Sequence, residues 1–145
     1  MPPATFIDAN VPIYAAGREH PCREPCIRVL AAVNENPDGF VTDAEVFQEI
    51  MHHYRRTQRW DAGQAVVESF ATMMRGRVSP VAIDDVLAAG RLATEHQDLI
   101  TRDLLHLAVM RRLGVTRIVT ADADFGRVPG VIRLDPADFG ELEPA

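Results

Sequence analysis

The chain of 145 residues contains no lysine; all 15 of its basic residues are arginine. A genomic codon bias is the simplest cause, but the chemical consequence stands whatever the cause. Walker-type NTPases need a P-loop lysine at the nucleotide phosphates, and phosphotransfer folds with a strand-end aspartate generally rely on a lysine as well. Long apolar runs are also missing, and none approaches the ~20 residues of a membrane-spanning helix. Met1-Pro2-Pro3 leads straight into a short strand-like run, without the basic and apolar regions of a signal peptide. The expectation is a protein that is neither secreted nor membrane-bound and works in a cytoplasm. Cysteine is scarce: Cys22 and Cys26 form one Cys-x-x-x-Cys pair near His20, short of the four ligands of a closed zinc site. They read as reduced thiols that pack.

A net charge of −6 argues on its face against a nucleic-acid partner. It does not exclude RNA if the acids are gathered in a metal site and arginine lines the rim. Arg55, Arg56 and Arg59 form one basic cluster, and Arg111, Arg112 and Arg117 another. Arg55, Arg56 and Arg112 are the candidates for phosphate contact.

What is present in quantity is apolar surface, 47% of residues, enough for one globular domain over 1–145. Its core is expected over about 4–135, with a short, loosely held tail after Asp135. Residues 4–8 read as a buried strand, with Asp8 or Asn10 able to cap the helical turns at 11–16. Apolar residues at helical spacing mark a helix over 22–34, ended by the Asn, Pro, Asp and Gly of 34–39. A strand at 39–42 follows, then a helix over about 44–57 that Thr42 or Asp43 can cap. A helix over 61–75 precedes a strand-like run at 78–83, placed at an edge by Pro80. Asp84-Asp85 caps a helix to about 96, and the most apolar helix, 99–113, stops at Gly114. Strands at 117–120 and 131–134 complete the chain. Strands alternating with helices indicate an α/β fold with a parallel sheet covered on both faces.

The acids fall at informative places in that pattern. Asp8 closes the first strand and Asp122 follows the strand at 117–120, so both lie at the carboxyl edge, where sites in open parallel sheets form. Glu49 lies on the helix leaving the second strand, and on a stripe at i, i+4, i+8 with Glu45 and His53. Asp103 falls in the first turn of the helix at 99–113. Taken singly, Asp8 and Asp122 could be caps, Asp103 a dipole-stabilising acid, and Glu49 part of a solvated face. Taken together, four converging carboxylates would repel one another and raise their pKa values unless a cation joined them. Oxygen ligands with no His or Cys partner suit Mg²⁺ or Mn²⁺. Such ions support in-line displacement at phosphorus, so phosphodiester hydrolysis is the natural reaction.

In order along the chain, Phe6-Ile7-Asp8-Ala9-Asn10-Val11, the Glu49 helix, Arg102-Asp103-Leu104-Leu105-His106 and Ile118-Val119-Thr120-Ala121-Asp122-Ala123-Asp124-Phe125 resemble PIN-domain ribonucleases. The likeness is greatest to the compact VapC-type toxins of bacterial toxin–antitoxin pairs, and it runs from about Phe6 to Leu134. The resemblance implies a three-layer α/β/α PIN-like domain, a five-stranded parallel sheet flanked by helices, usually in a homodimer. It implies that Asp8, Glu49, Asp103 and Asp122 form the acidic metal-binding and catalytic quartet, with Asp124 as an additional metal ligand. Asn10 and Thr120 match the family's polar supports. Glu45 precedes Glu49 by one helical turn and leaves the family's Glu open between them, although counting from Thr42 favours Glu49. His106 resembles a subgroup feature, but a packed helix histidine is the preferred reading.

The function implied is a Mg²⁺-dependent (or Mn²⁺-dependent) endoribonuclease toxin acting on RNA and neutralised by a cognate VapB-type antitoxin. One alternative is a strand-end-Asp phosphohydrolase, which would favour Asp-x-Asp where this chain has Asp8-Ala9-Asn10. The other is a non-catalytic PIN-like module binding RNA or protein, which loss of a carboxylate would mark.

Overall fold

In the computed structural model, which describes residues 4–139, the short apolar runs become five strands. They are β1 (Thr5–Ile7), β2 (Phe40–Asp43), β3 (Val78–Ser79), β4 (Arg117–Val119) and β5 (Ile132–Leu134). All pair in parallel, in the order β3-β2-β1-β4-β5. Among the described residues, six α-helices cover the two faces: α1 (Asn10–Ala15), α2 (Arg23–Glu35), α3 (Ala44–Arg56), α4 (Trp60–Met73), α5 (Ile83–Glu95) and α6 (Thr101–Leu113). The result is a three-layer α/β/α arrangement.

Phe6, Ile7, Ile118 and Val119 on the two central strands are fully buried. Strands covered on both faces carry continuous apolar runs rather than alternation, which is why these segments are legible as buried. Helix α6 buries Leu104, Leu107, Ala108, Val109 and Met110. It stops at Gly114, whose φ of 71° is left-handed and costs a glycine nothing. Gly63 serves packing instead. A Cβ there would collide with Tyr54 Cβ, so its absence lets α3 and α4 touch.

Several boundaries differ from the sequence expectation for physical reasons. Strand β3 ends at Ser79 rather than running to 83, because Pro80 has no N–H to continue a ladder. Asp85 does not precede α5 but sits in its first turn, where Oδ2 accepts the Ala82 N–H at 2.9 Å. Asp43, not Thr42, caps α3, its Oδ1 accepting the Val46 N–H at 2.9 Å. Neither Asp8 nor Asn10 caps α1; Ala9 holds that position, since both side chains are engaged with Thr120. Of the tail after Asp135, expected to be loose, residues 136–139 are docked through Phe139, and the rest lies outside the described residues. Asp135 Oδ1 accepts the Ala137 N–H at 3.0 Å, and the Phe139 ring lies 6.0 Å from that of Phe40. That aromatic contact covers apolar surface at the start of β2 that water would otherwise reach. Among the described residues, no helix is long and apolar enough to cross a membrane.

Candidate metal centre

Parallel pairing sends the ends of β1, β2 and β4 to one edge, and the helices that leave or approach that edge bring the acids together. A cleft of about 440 Å³ there is lined by Asp8, Asn10, Glu49, Asp103 and Asp122. Tyr14, His52, His53, Arg56 and Arg102 form its remaining polar wall.

Asp8 is the most firmly held. Its Oδ1 accepts the Ala9 N–H at 2.7 Å and its Oδ2 accepts the Thr120 hydroxyl at 2.8 Å. Thr120, fully buried, in turn accepts from Asn10 Nδ2 at 2.8 Å and from the Asp122 N–H at 3.0 Å. Asn10 Oδ1 closes the loop by accepting the Ala121 N–H at 3.1 Å. One threonine and one asparagine thus lock the end of β1 to the turn after β4. Asp122 Oδ1 accepts the Asp124 N–H at 2.9 Å.

The electrostatics follow from burial and crowding. Burial pushes the Asp103 carboxyl up to about 7, and the charges of Asp8, Asp122 and Glu49 add to the push while His106 opposes it. Asp8 is also raised, chiefly by burial, with His106 opposing and Glu49 adding. Carboxylates in this state gain from a cation among them.

Behind the acids lies His106, expected as a packed histidine. It is fully buried, but both ring nitrogens face carboxylates: Nδ1 is 2.8 Å from Asp43 Oδ2 and Nε2 is 2.5 Å from Glu49 Oε1. Nε2 is also 3.8 Å from Asp8 Oδ1. Those contacts raise its pKa well above the usual value against the opposing pull of burial. The α6 turn after Asp103 thus brings His106 against the acidic cluster, a neighbour that the expectation of an oxygen-only ligand set did not include. Ligand atoms of Asp8, Glu49 and His106 lie within 4.8 Å of one another. That spacing, with hard carboxylate oxygens in front, fits a divalent cation.

Other candidates fall elsewhere. Glu49 lines the cleft, whereas Glu45 sits one turn away, its pKa raised by burial. Asp124 does not turn into the cleft: its Oδ1 lies 3.4 Å from Arg127 Nη2 at the surface, in the 3₁₀ turn Ala123–Arg127. Of the arginines, Arg56 is at the cleft. Arg55 lines a separate depression with Arg59 and Trp60. Arg112 is bound to Asp85 at 2.8 Å and to Ser79 at 2.8 Å, so its guanidinium is already committed. Cys26 is buried and Cys22 partly so, both as free thiols, and burial pushes Cys26 up to about 12. That is the condition of packing thiols rather than ligands.

The chain matches the family model for the PIN domain over residues 5–131. Ribonuclease VapC23 of Mycobacterium tuberculosis is 41% identical over 119 residues, which is 81% of this chain and 91% of that protein. Ribonuclease VapC13 of the same organism is 35% identical over 129 residues, 89% of this chain and 98% of that one. This chain belongs to the PIN-domain family. Within it, the chain stands with the VapC ribonucleases.

Solved structures agree on the fold. The Mycobacterium tuberculosis VapC20 toxin, described as cleaving the sarcin–ricin loop, superposes with a TM-score of 0.71 at 20% identity, covering 85% of this chain and 93% of that one. The DNA-bound VapBC of Salmonella typhimurium gives 0.70 at 18% identity, covering 93% and 99%. Against this PIN-domain frame, sequence reasoning missed Arg102, Tyr14 and His52 on the cleft wall, and the Asp43–His106 contact behind it. For His53 the signal was present, on one stripe with Glu49. For His106 it was the position one turn after Asp103.

Proposed function

We propose that this protein is a metal-dependent endoribonuclease toxin that hydrolyses RNA phosphodiester bonds in the cytoplasm and is neutralised by a VapB-type antitoxin. The observation that carries this reading is the convergence of Asp8, Glu49, Asp103 and Asp122 on one cleft with Arg56 and Arg102 beside them. Those four acids are the residues that would hold Mg²⁺ or Mn²⁺. Such an ion supplies positive charge to the reacting phosphate and lowers the pKa of the attacking water. The chain's own work is to keep Asp8 in one orientation through Thr120 and Asn10, and to meet neighbouring phosphates with Arg56 and Arg102. Asp124 stands outside this set unless its surface contact with Arg127 opens.

Kinship with the VapC ribonucleases and the likeness to toxin–antitoxin complexes support the antitoxin partner. An apolar groove of about 320 Å³ between α1, α2 and α4, lined by Pro12, Leu30, Val66 and Phe70, suits an amphipathic helix. Ile83, Val86 and Leu87 on α5 are exposed and suit a second copy in a homodimer. The phosphohydrolase alternative gains nothing from a cleft in which Asn10 binds Asp8 and Thr120 rather than serving as a second acid.

The test is cleavage of single-stranded and loop RNA by the purified chain, with Mg²⁺ or Mn²⁺ added and then removed. Cutting that needs the ion and stops in EDTA is the expected result; undiminished cutting in excess chelator overturns the mechanism.

A further inference from the structure

His106 and Asp43 sit outside the acidic quartet, yet each touches something that matters to it. Asp43 divides its two oxygens between two roles. Oδ1 caps α3 by accepting the Val46 N–H, while Oδ2 lies 2.8 Å from His106 Nδ1. The other face of the imidazole, Nε2, meets Glu49 Oε1 at 2.5 Å. Glu49 itself belongs to α3, so the carboxylate that starts this helix also steers the ring that grips its glutamate. The ring has little freedom: it is fully buried and packs 5.2 Å from the Phe6 ring. It comes from α6, one turn beyond Asp103. A single side chain therefore ties the helix of Glu49 to the helix of Asp103.

Glu49 needs such a hold. Its side chain is partly exposed, long, and attached to a helix rather than to the end of a strand. Among the described residues, nothing comparable to the Thr120–Asn10 network of Asp8 reaches it. Residues that hydrogen-bond a metal-binding carboxylate or imidazole fix its orientation, and losing them typically costs 10–100-fold in metal affinity or activity.

We infer that Asp43 and His106 are positioning residues, with His106, steered by Asp43, holding Glu49 Oε1 toward the metal cleft. This rests on the reading of the cleft as a metal-dependent nuclease site. It differs from a purely structural role for the pair, which would alter melting without altering metal binding.

Three variants of the full chain separate the roles. Asp43→Ser keeps a good helix cap but is too short to reach His106. Asp43→Asn keeps the cap and can still hold the ring, its amide donating to Nδ1 while Nε2–H remains for Glu49. His106→Phe keeps an aromatic ring against Phe6 and removes both nitrogens. Mn²⁺ affinity is measured by calorimetry and RNA cleavage by steady-state kinetics. For Asp43→Ser and His106→Phe, the Mn²⁺ dissociation constant should rise about 10–100-fold. Their kcat should fall while KM for RNA stays constant, and Asp43→Asn should remain close to wild type in both measures.

A folded Asp43→Ser protein that binds Mn²⁺ as tightly as wild type, or more tightly, overturns the proposal. So does nitrogen hyperfine coupling in pulsed EPR of bound Mn²⁺ that disappears in His106→Phe, since His106 would then be a ligand itself. If His106→Phe does not fold, the contrast between Asp43→Ser and Asp43→Asn decides the matter. Absence of RNA cleavage by wild type would fell the nuclease reading, while the Mn²⁺ titrations would still decide this one.

Discussion

At the first turn of α6, buried Asp103 faces Asp8, Asp122 and Glu49; at its last turn, Arg112 reaches out to buried Asp85. The two aspartates are almost equally hidden, at 6% and 3% exposure, yet their surroundings act in opposite directions. Asp85 receives a two-pronged guanidinium contact, Nε to Oδ1 at 2.8 Å and Nη2 to Oδ2 at 3.1 Å. Those hydrogen bonds hold its carboxyl below the usual carboxylate range despite burial. Asp103 has burial and three acids against it and is pushed up to about 7. A buried acid with a matched arginine contributes to holding the fold together. A buried acid set among other acids weakens the fold, and such groups concentrate at functional sites. On the nuclease reading proposed above, Asp85 serves the architecture and Asp103 the chemistry, an assignment that activity, metal binding and stability can each break.

Activity should show the largest effect. Asp103→Asn and Asp8→Asn each remove one negative charge with little change in volume, and RNA cleavage should fall on the order of 100-fold or more. That is the size seen when one preorganised electrostatic contact is lost from a reacting centre. Circular dichroism should show both proteins folded, and Arg112→Met should cut RNA at close to the wild-type rate. A folded Asp103→Asn protein with full activity would make Asp103 a structural acid like Asp85.

Metal binding should separate the two ends next. A cation taken up by the native state alone stabilises it by about 2.7 kcal/mol at 100 times its dissociation constant. Thermal melting should therefore rise with Mn²⁺ in wild type and in Arg112→Met, and rise much less in Asp103→Asn. Equal shifts in all three would place the ion away from this cleft.

One end of this helix is more legible in the sequence than the other. Asp103 stands out because an acid opens the run of Leu, Ala, Val and Met along α6, and because Asp8 and Asp122 follow apolar strands whose direction is set by the α/β alternation. The role of Asp85 is half legible, as an acid near a helix start. Its partner Arg112, 27 residues away, reads in sequence with its basic neighbours as a candidate for RNA. Nothing local announces which arginine is already spoken for. The Asp43–His106 contact spans 63 residues, and it depends on how α6 crosses the sheet, which periodicity does not specify. The motif places Asp124 beside the quartet, but the 3₁₀ turn after Asp122 directs it to Arg127.

Stability should respond to the loss of Arg112 in the direction opposite to the loss of Asp103. Arg112→Met leaves Asp85 buried without its partner. Breaking a fully buried pair costs about 3–5 kcal/mol; Arg112 is partly exposed, with its side chain at 42%. Water can replace part of the interaction, so about 2 kcal/mol is expected from urea unfolding. A loss below the error of that measurement would mean that the ion pair contributes nothing to the fold.

The smallest effect carries the sign that best tests the comparison, and it is read in EDTA as a function of pH. For Asp103 the folded pKa of about 7 lies above its ordinary value of 3.8. The native state then holds a proton that the unfolded chain has released, so stability falls as pH rises from about 4 to about 7 and is level above that. Asp85 is depressed in the native state, so its contribution is present above its unfolded pKa and is lost as pH drops below about 4. Replacing Asp103 by Asn should therefore raise the stability of the metal-free protein near pH 7.5 and leave it unchanged near pH 4. The full displacement would correspond to about 4 kcal/mol, but relaxation and water in an open cleft raise the effective dielectric and reduce it to on the order of 1 kcal/mol. Saturating Mn²⁺ should reverse the order, making wild type the more stable protein because only its complete acid set recovers the repulsion as binding energy. If Asp103→Asn is instead the less stable protein in EDTA at pH 7.5, Asp103 supports the fold as Asp85 does, and the two ends of α6 no longer differ in kind.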